Sequence, residues 1–251
     1  MSDAQKIIEM TSVQEHYDKH LGKIYTWMTG GIETATKRGE DELDEIGIDA
    51  SGCKIAVDLG AGFGMHAIPL ARRGIEVIAI DTCADLLDEL QIQKGALPIQ
   101  EIRDDILSFP RYLVNKPDLV LCMGDTLTHL ADVESVNRLI ISIADEIRLG
   151  GKFVVSLRDY STPLIGEHRF IPVRSDNDRI LTCFLEYTDS HVVVHDILYE
   201  REKTHWQQSV SKYNKIRISP DWLDNALKEN GFLVNREPGL SGMIRFVARR
   251  V

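Results

Sequence analysis

Short apolar runs and longer amphipathic stretches alternate along the first 160 or so residues. Ile55 to Leu59 and Val77 to Ile80 are rich in Val and Ile and short enough to be buried strands, the core beginning at about Cys53. Met65 to Arg73 between them reads as a helix. Pro69 fits it because the first turn has no intrahelical use for its amide, and Gly74 closes it. The same rhythm continues through "CADLLDELQIQKG" as a helix, "LPIQEIRDD" and "KPDLVLCMGD" as strands, "VESVNRLIISIADEIRLGG" as a long helix and "KFVVSLRDY" as a fifth strand. Alternation of this kind predicts an α/β fold, a doubly wound and mostly parallel Rossmann-like sheet. Two stretches with helical spacing, residues 2 to about 20 and Ile32 to Ile46, precede it as an N-terminal helical cover within 1–50. From Arg169 to about Ile218 the helix signal stops. "RFIPV", "RILTCFLEYT", "HVVVHDILYE" and "WQQSVSKYNKIRI" are separated by turn residues, which predicts an antiparallel β insertion of three or four strands over 168–218, after the fifth strand. "SPDWLDNALKENG" returns to helix with Ser219 as its cap, and "FLVNRE" and "MIRFVARR" end a single domain over 1–251.

Charge narrows the partners. The 251 residues carry 39 acidic and 29 basic side chains, a formal net charge of −10, which repels a phosphate backbone and disfavours nucleic acid. No apolar run reaches the length of a membrane span, and the N-terminal residues do not read as a leader, so the expectation is a cytoplasmic protein with no membrane partner. Cys53, Cys83, Cys122 and Cys183 lie far apart and without histidine partners at ligand spacing, so no metal centre is expected.

The chemistry concentrates at "VDLGAGFGMHAIPLARRGIEVIAID". A dinucleotide turn needs G-x-G-x-x-G; here Gly60, Gly62 and Gly64 alternate and Met65 takes the place of the third glycine, which counts against NAD. Asp81, 21 positions after Gly60, suits the hydroxyls of a ribose. Asp58, just before the turn, can meet an ammonium group, which an amino-acid-like ligand has and a nucleotide lacks.

This segment resembles motif I of the class I S-adenosylmethionine-dependent methyltransferases. "VIAID", "IRDDIL", "DLVLCMGDTLTHL" and "LGGKFVV" resemble four further motifs of that family in order, so the likeness runs from about residue 15 to the end. The resemblance implies S-adenosylmethionine as cofactor and methyl transfer to a small-molecule acceptor. By it, Gly60 and Gly62 approach the methionine part, Asp81 the ribose, and Asp105 and Ile106 the adenine, with Asp104 competing for Asp105's role; Thr82 and Met123 complete the cofactor-binding set. "HLGKIYTWMTGG" looks like the lid of the glycine and sarcosine N-methyltransferases, which makes Tyr25 and Trp27 candidates to line the cavity and Gly30–Gly31 a hinge; core packing of a covering helix is the alternative. Tyr25 and His129 stand as catalytic candidates. Asp125, Arg158 and Tyr160 are candidates for binding the acceptor, against a reading as strand-end pairs. His66 either reaches the pocket or sits on an exposed helix position. The insertion serves as a cover over the acceptor side or as the contact of a homodimer. A cofactor-binding protein without transfer, and less so an NAD-dependent oxidoreductase, are the competing functions.

Overall fold

A computed structural model describes residues 10–251. Residues 2–9 of the first expected helix lie outside that range. Within it the cover begins with Met10 bridged to Lys212, then α1 (Val13–His16), a π-helical turn at Tyr17–Leu21, α2 (Gly22–Met28) and α3 (Ile32–Glu45).

The core follows as β1 (Ile55–Leu59), α4 (Ala67–Arg72), β2 (Glu76–Asp81), α5 (Ala84–Lys94), β3 (Ile99–Arg103), β4 (Leu119–Cys122), α6 (Val133–Glu146) and β5 (Lys152–Leu157). Helix α4 starts two residues later than its periodicity suggests, because Met65 and His66 belong to the glycine turn. The insertion has four strands: β6 (Phe170–Ser175), β7 (Arg179–Tyr187), β8 (His191–Glu202) and β9 (His205–Ile216). Then come α7 (Pro220–Glu229), β10 (Phe232–Pro238) and β11 (Ile244–Arg250). Ser219 precedes α7 in extended backbone, but its side chain makes no capping bond.

Seven strands form one sheet in the order β10-β11-β5-β4-β1-β2-β3, parallel except for β11, which pairs antiparallel with β5 and β10. The four insertion strands form a second, antiparallel sheet. Both faces of the large sheet are covered, which is why β1, β4 and β5 are apolar on alternate and successive positions alike. One face packs Val57, Leu59, Val120 and Phe153 against α6 and α7; the other packs Ala56, Leu119 and Val154 against α3 and α4 residues such as Leu43 and Leu70. The order reverses between β1 and β4, which leaves a crevice at the carboxyl ends of those strands. Among the described residues no helix is long and apolar enough to cross a membrane.

Candidate active site

A cavity of about 240 Å³ lies in that crevice. Gly60, Gly62 and Phe63 floor it, Asp81 and Thr82 border it from β2, and Asp105 and Ile106 from the loop after β3. Met123, Thr126 and His129 come from the end of β4, and Tyr17 and Tyr25 from the cover.

Each wall has a local cause. Gly60 adopts φ 76°, and a Cβ there would stand 2.5 Å from Thr126 Cγ2, so only glycine lets the turn approach this loop. Asp81 fixes the turn from the other side: Oδ2 accepts the Gly62 N–H at 2.8 Å and Oδ1 the Cys83 N–H at 2.9 Å. Burial raises the Asp81 pKa, and these amide donors oppose the rise. Of the adjacent acids, Asp105 borders the cavity, whereas Asp104 accepts the Tyr112 hydroxyl at 2.6 Å and the Asp105 N–H at 2.8 Å.

Asp58 lies beneath the turn, only 2% exposed, and its Oδ2 has no hydrogen-bond partner among the described residues. Burial pushes its pKa from the ordinary 3.8 up to about 6, with His66 lowering it and Asp81 raising it further. A buried carboxylate with one oxygen left without a donor fits a ligand that brings positive charge.

His66 is not on an exposed helix face. It is 7% exposed and borders the cavity, and its Nε2 lies 3.0 Å from Glu42 Oε2 on α3. The approach of α3 depends on Gly39, whose Cβ, if present, would collide with the Met65 carbonyl.

The β4 loop turns through left-handed backbone at Gly124 (φ 69°) and Asp125 (φ 74°), which starts the 3₁₀ turn Thr126–His129 and brings Thr126 and His129 to the cavity wall. His129 Nε2 is buried and unpartnered among the described residues, and its ring meets Tyr17 and Tyr213 edge-on, each at 5.8 Å. Burial, then Lys215, lower its pKa to about 3 against the pull of Asp125. The imidazole is therefore neutral at physiological pH and keeps a single ring proton, so one ring nitrogen is free to accept a hydrogen bond.

The acceptor candidates Asp125, Arg158 and Tyr160 lie off the cavity wall. Asp125 accepts from Lys215 Nζ at 2.6 Å, the Tyr160 hydroxyl at 3.0 Å and the Arg158 N–H at 3.0 Å. Burial would raise the Asp125 pKa, but Lys215 outweighs it and the net shift is downward. The Arg158 guanidinium turns away to the Ser241 carbonyl. These groups fasten the insertion to the β4 loop and have little capacity left for an acceptor.

Trp27 also leaves the wall. Two residues beyond Tyr25, it points to another side of α2, where Nε1 donates to Asp176 at 2.5 Å and Arg179 lies 4.7 Å from the ring centroid. It ties the cover to the insertion. Trp27→Ala is expected to lower stability by about 1–2 kcal/mol while changing cofactor affinity less than about threefold, read by thermal unfolding and calorimetry.

Tyr17, Phe63 and Thr126 border the cavity without having stood out in the sequence. The π turn rotates the start of the cover so that Tyr17 and Tyr25 come within 5.9 Å, while buried His16 bonds Ser211 at 2.7 Å and Asp196 at 2.9 Å in the insertion.

Comparison with known proteins agrees with this fold. Residues 56–151 match the methyltransferase domain family. The glycine/sarcosine N-methyltransferase of Aphanothece halophytica is 24% identical over 184 residues, 72% of this chain and 67% of that protein. An amino pentose methyltransferase from Micromonospora echinaspora, solved with S-adenosylmethionine bound, superposes with a TM-score of 0.77 at 16% identity, covering 92% of this chain and 97% of its own. A sugar N-methyltransferase from Streptoalloteichus reaches 0.71 at 16% identity, covering 100% and 98%.

Proposed function

We propose that the chain is a class I S-adenosylmethionine-dependent methyltransferase of the small-molecule branch and that its acceptor is an amine. The observation that carries the amine reading is His129: its neutral imidazole belongs to the cavity lining, and its buried Nε2 has no partner among the described residues, which suits an N–H donor. Names of the relatives, glycine/sarcosine N-methyltransferase and sugar N-methyltransferase among them, point the same way.

When bound, S-adenosylmethionine supplies a methyl group on a sulfonium sulfur. Asp81 and Thr82 hold the ribose, and Asp105 and Ile106 the adenine. Asp58 supplies negative charge beneath the cationic end. Tyr17 and Tyr25 close the cavity from above, and burial raises the pKa of both phenols, so they stay neutral and exclude water without adding charge. His129 orients the amine by accepting one N–H, which aims the lone pair; proximity then supplies most of the rate.

Incubation with S-adenosylmethionine and a panel of small amines, amino acids and amino sugars, followed by mass spectrometry, tests this reading. A single-methyl mass gain on an amine supports it; methylation confined to hydroxyl or carboxyl acceptors contradicts it. His129→Ala should lower kcat about a hundredfold with little change in cofactor affinity. The wild-type rate should rise with pH through the amine's own deprotonation. It should show no step from His129, which is neutral across that range.

Two copies of the chain meet through the outer face of the insertion sheet. Phe170, Ile180 and Tyr199 share that face and are 52%, 41% and 36% exposed. Sedimentation should report a dimer that Ile180→Glu dissociates; a wild-type monomer at micromolar concentration contradicts it. The cytoplasm is the proposed compartment, supported by four unpaired cysteines.

A further inference from the structure

Strand β9 passes the β4 loop with two side chains on one face, Tyr213 and Lys215, two positions apart. Tyr213 stacks on His16 of the cover at 4.1 Å and meets the His129 ring edge-on. Lys215 reaches the start of the same loop turn, its Nζ 2.6 Å from Asp125 Oδ2, in an ion pair whose side chains are 11% and 3% exposed. Neither Lys215 nor Asp125 borders the cofactor cavity.

The direction of that turn is set at Asp125. Three described residues other than glycine have positive φ, and Asp125 is the buried one; Lys203 and Ser241 are exposed. Left-handed backbone is costly for a residue with a side chain and persists only where its surroundings hold it. Here the Asp125 N–H donates to the Ser156 carbonyl at 3.0 Å, and the Asp125 carbonyl accepts the Thr128 N–H at 3.1 Å, which starts the 3₁₀ turn ending at His129. The carboxylate takes the Arg158 N–H and the Tyr160 hydroxyl, both from the chain just after β5. Lys215 supplies the charged contact, and it comes from the insertion rather than from the core sheet. Glycine would adopt this backbone freely but would leave Lys215 without its carboxylate.

Resting on the reading of His129 as the group that orients the acceptor, we propose that Lys215 is a positioning residue for methyl transfer: through Asp125 it fixes the turn that carries His129 against Tyr213. The insertion then does more than cover the site. Tyr213 packs on both His129 and the cover, and Lys215 locks the β4 loop to the same strand, so β9 sets how the cover and His129 face each other.

Two variants test this. Lys215→Met leaves the Asp125 carboxylate buried without its cation and should lower the unfolding temperature. Lys215→Met combined with Asp125→Asn removes that charge, and asparagine accepts left-handed backbone, so most of the lost stability should return. The double variant should bind S-adenosylhomocysteine within about threefold of wild type, because neither side chain borders the cavity. Its kcat for an amine that the wild-type protein methylates should fall about ten- to a hundredfold, with a much smaller change in the amine's KM. In the S-adenosylhomocysteine complex labelled with ¹⁵N-histidine, the ring signals of His129, assigned by their loss in His129→Gln, should move or broaden in the double variant as the contact with Tyr213 loosens. Wild-type ring signals or a wild-type kcat in the double variant, read below its unfolding temperature, overturn the proposal, because Lys215 would then only neutralise Asp125. A loss of S-adenosylhomocysteine affinity equal to the loss of kcat overturns it too, since the pair would then support the whole cavity. If the wild-type protein methylates no amine, the amine reading fails, and the ring signals alone decide the role of Lys215.

Discussion

Asp81→Ala is expected to reduce the affinity for S-adenosylhomocysteine at least a hundredfold. Two effects combine. The carboxylate accepts the Gly62 and Cys83 amides, so it holds the glycine turn and the start of α5 together before any ligand arrives. The residue borders the cavity, where two ribose hydroxyls would add charge-assisted bonds of about 1.5–3 kcal/mol in sum. Alanine removes those bonds and also frees the Gly62 N–H, which loosens the floor of the site. Asp81→Asn keeps the shape and one acceptor oxygen, so its loss should be nearer tenfold. Calorimetry that finds the alanine variant within threefold of wild type would exclude Asp81 from the cofactor site.

Asp58→Asn should do two opposite things. In the folded chain this carboxyl keeps its proton up to about pH 6, against 3.8 for the ordinary group, so folding disfavours its ionised form. That penalty is fully present above pH 6, shrinks as the pH falls toward 3.8, and is absent below it. Its size at pH 8 is roughly 3 kcal/mol. Asparagine is uncharged and can still accept the Ala67 N–H, so the unliganded variant should gain about that much stability at pH 8. The gain should fade as the pH is lowered through 5 to 4. Cofactor affinity should fall about tenfold or more, because the charge opposing the ammonium and sulfonium is gone. In wild-type protein, affinity should begin to weaken as the pH falls through 6. Denaturant titration of the unliganded proteins, with calorimetry at the same pH, reads both changes. An asparagine variant less stable than wild type at pH 8 would mean that Asp58 is paired in a way the geometry does not show.

Much of the framework is legible from residue periodicity. The alternation of apolar runs with amphipathic stretches fixes the order of strands and helices through β5, and turn residues mark the antiparallel insertion. The glycine turn and Asp81 are equally readable, because their spacing follows from backbone geometry that any ribose-binding βαβ unit shares. Where reading fails, the residues depend on long-range packing. Trp27 and Tyr25 are neighbours in one motif, yet helical rotation sends them to different surfaces. Asp125, Arg158 and Tyr160 cluster at strand ends as expected, but Lys215, 90 positions after Asp125, claims the carboxylate. No local signal announces that partner. Tyr17 was hidden by the π turn, which breaks the regular 3.6-residue repeat on which helical faces are read. His66 needed the position of α3 to be understood.

A crystal structure with S-adenosylhomocysteine bound at pH 8 tests whether the cavity between the glycine turn, the β4 loop and the cover holds S-adenosylmethionine for transfer. The expected complex has the ribose hydroxyls on Asp81, the adenine beside Ile106 and Asp105, and the sulfur turned toward the space between Tyr17, Tyr25 and His129. A ligand bound elsewhere, or one in the cavity with its ribose away from Asp81, would contradict it.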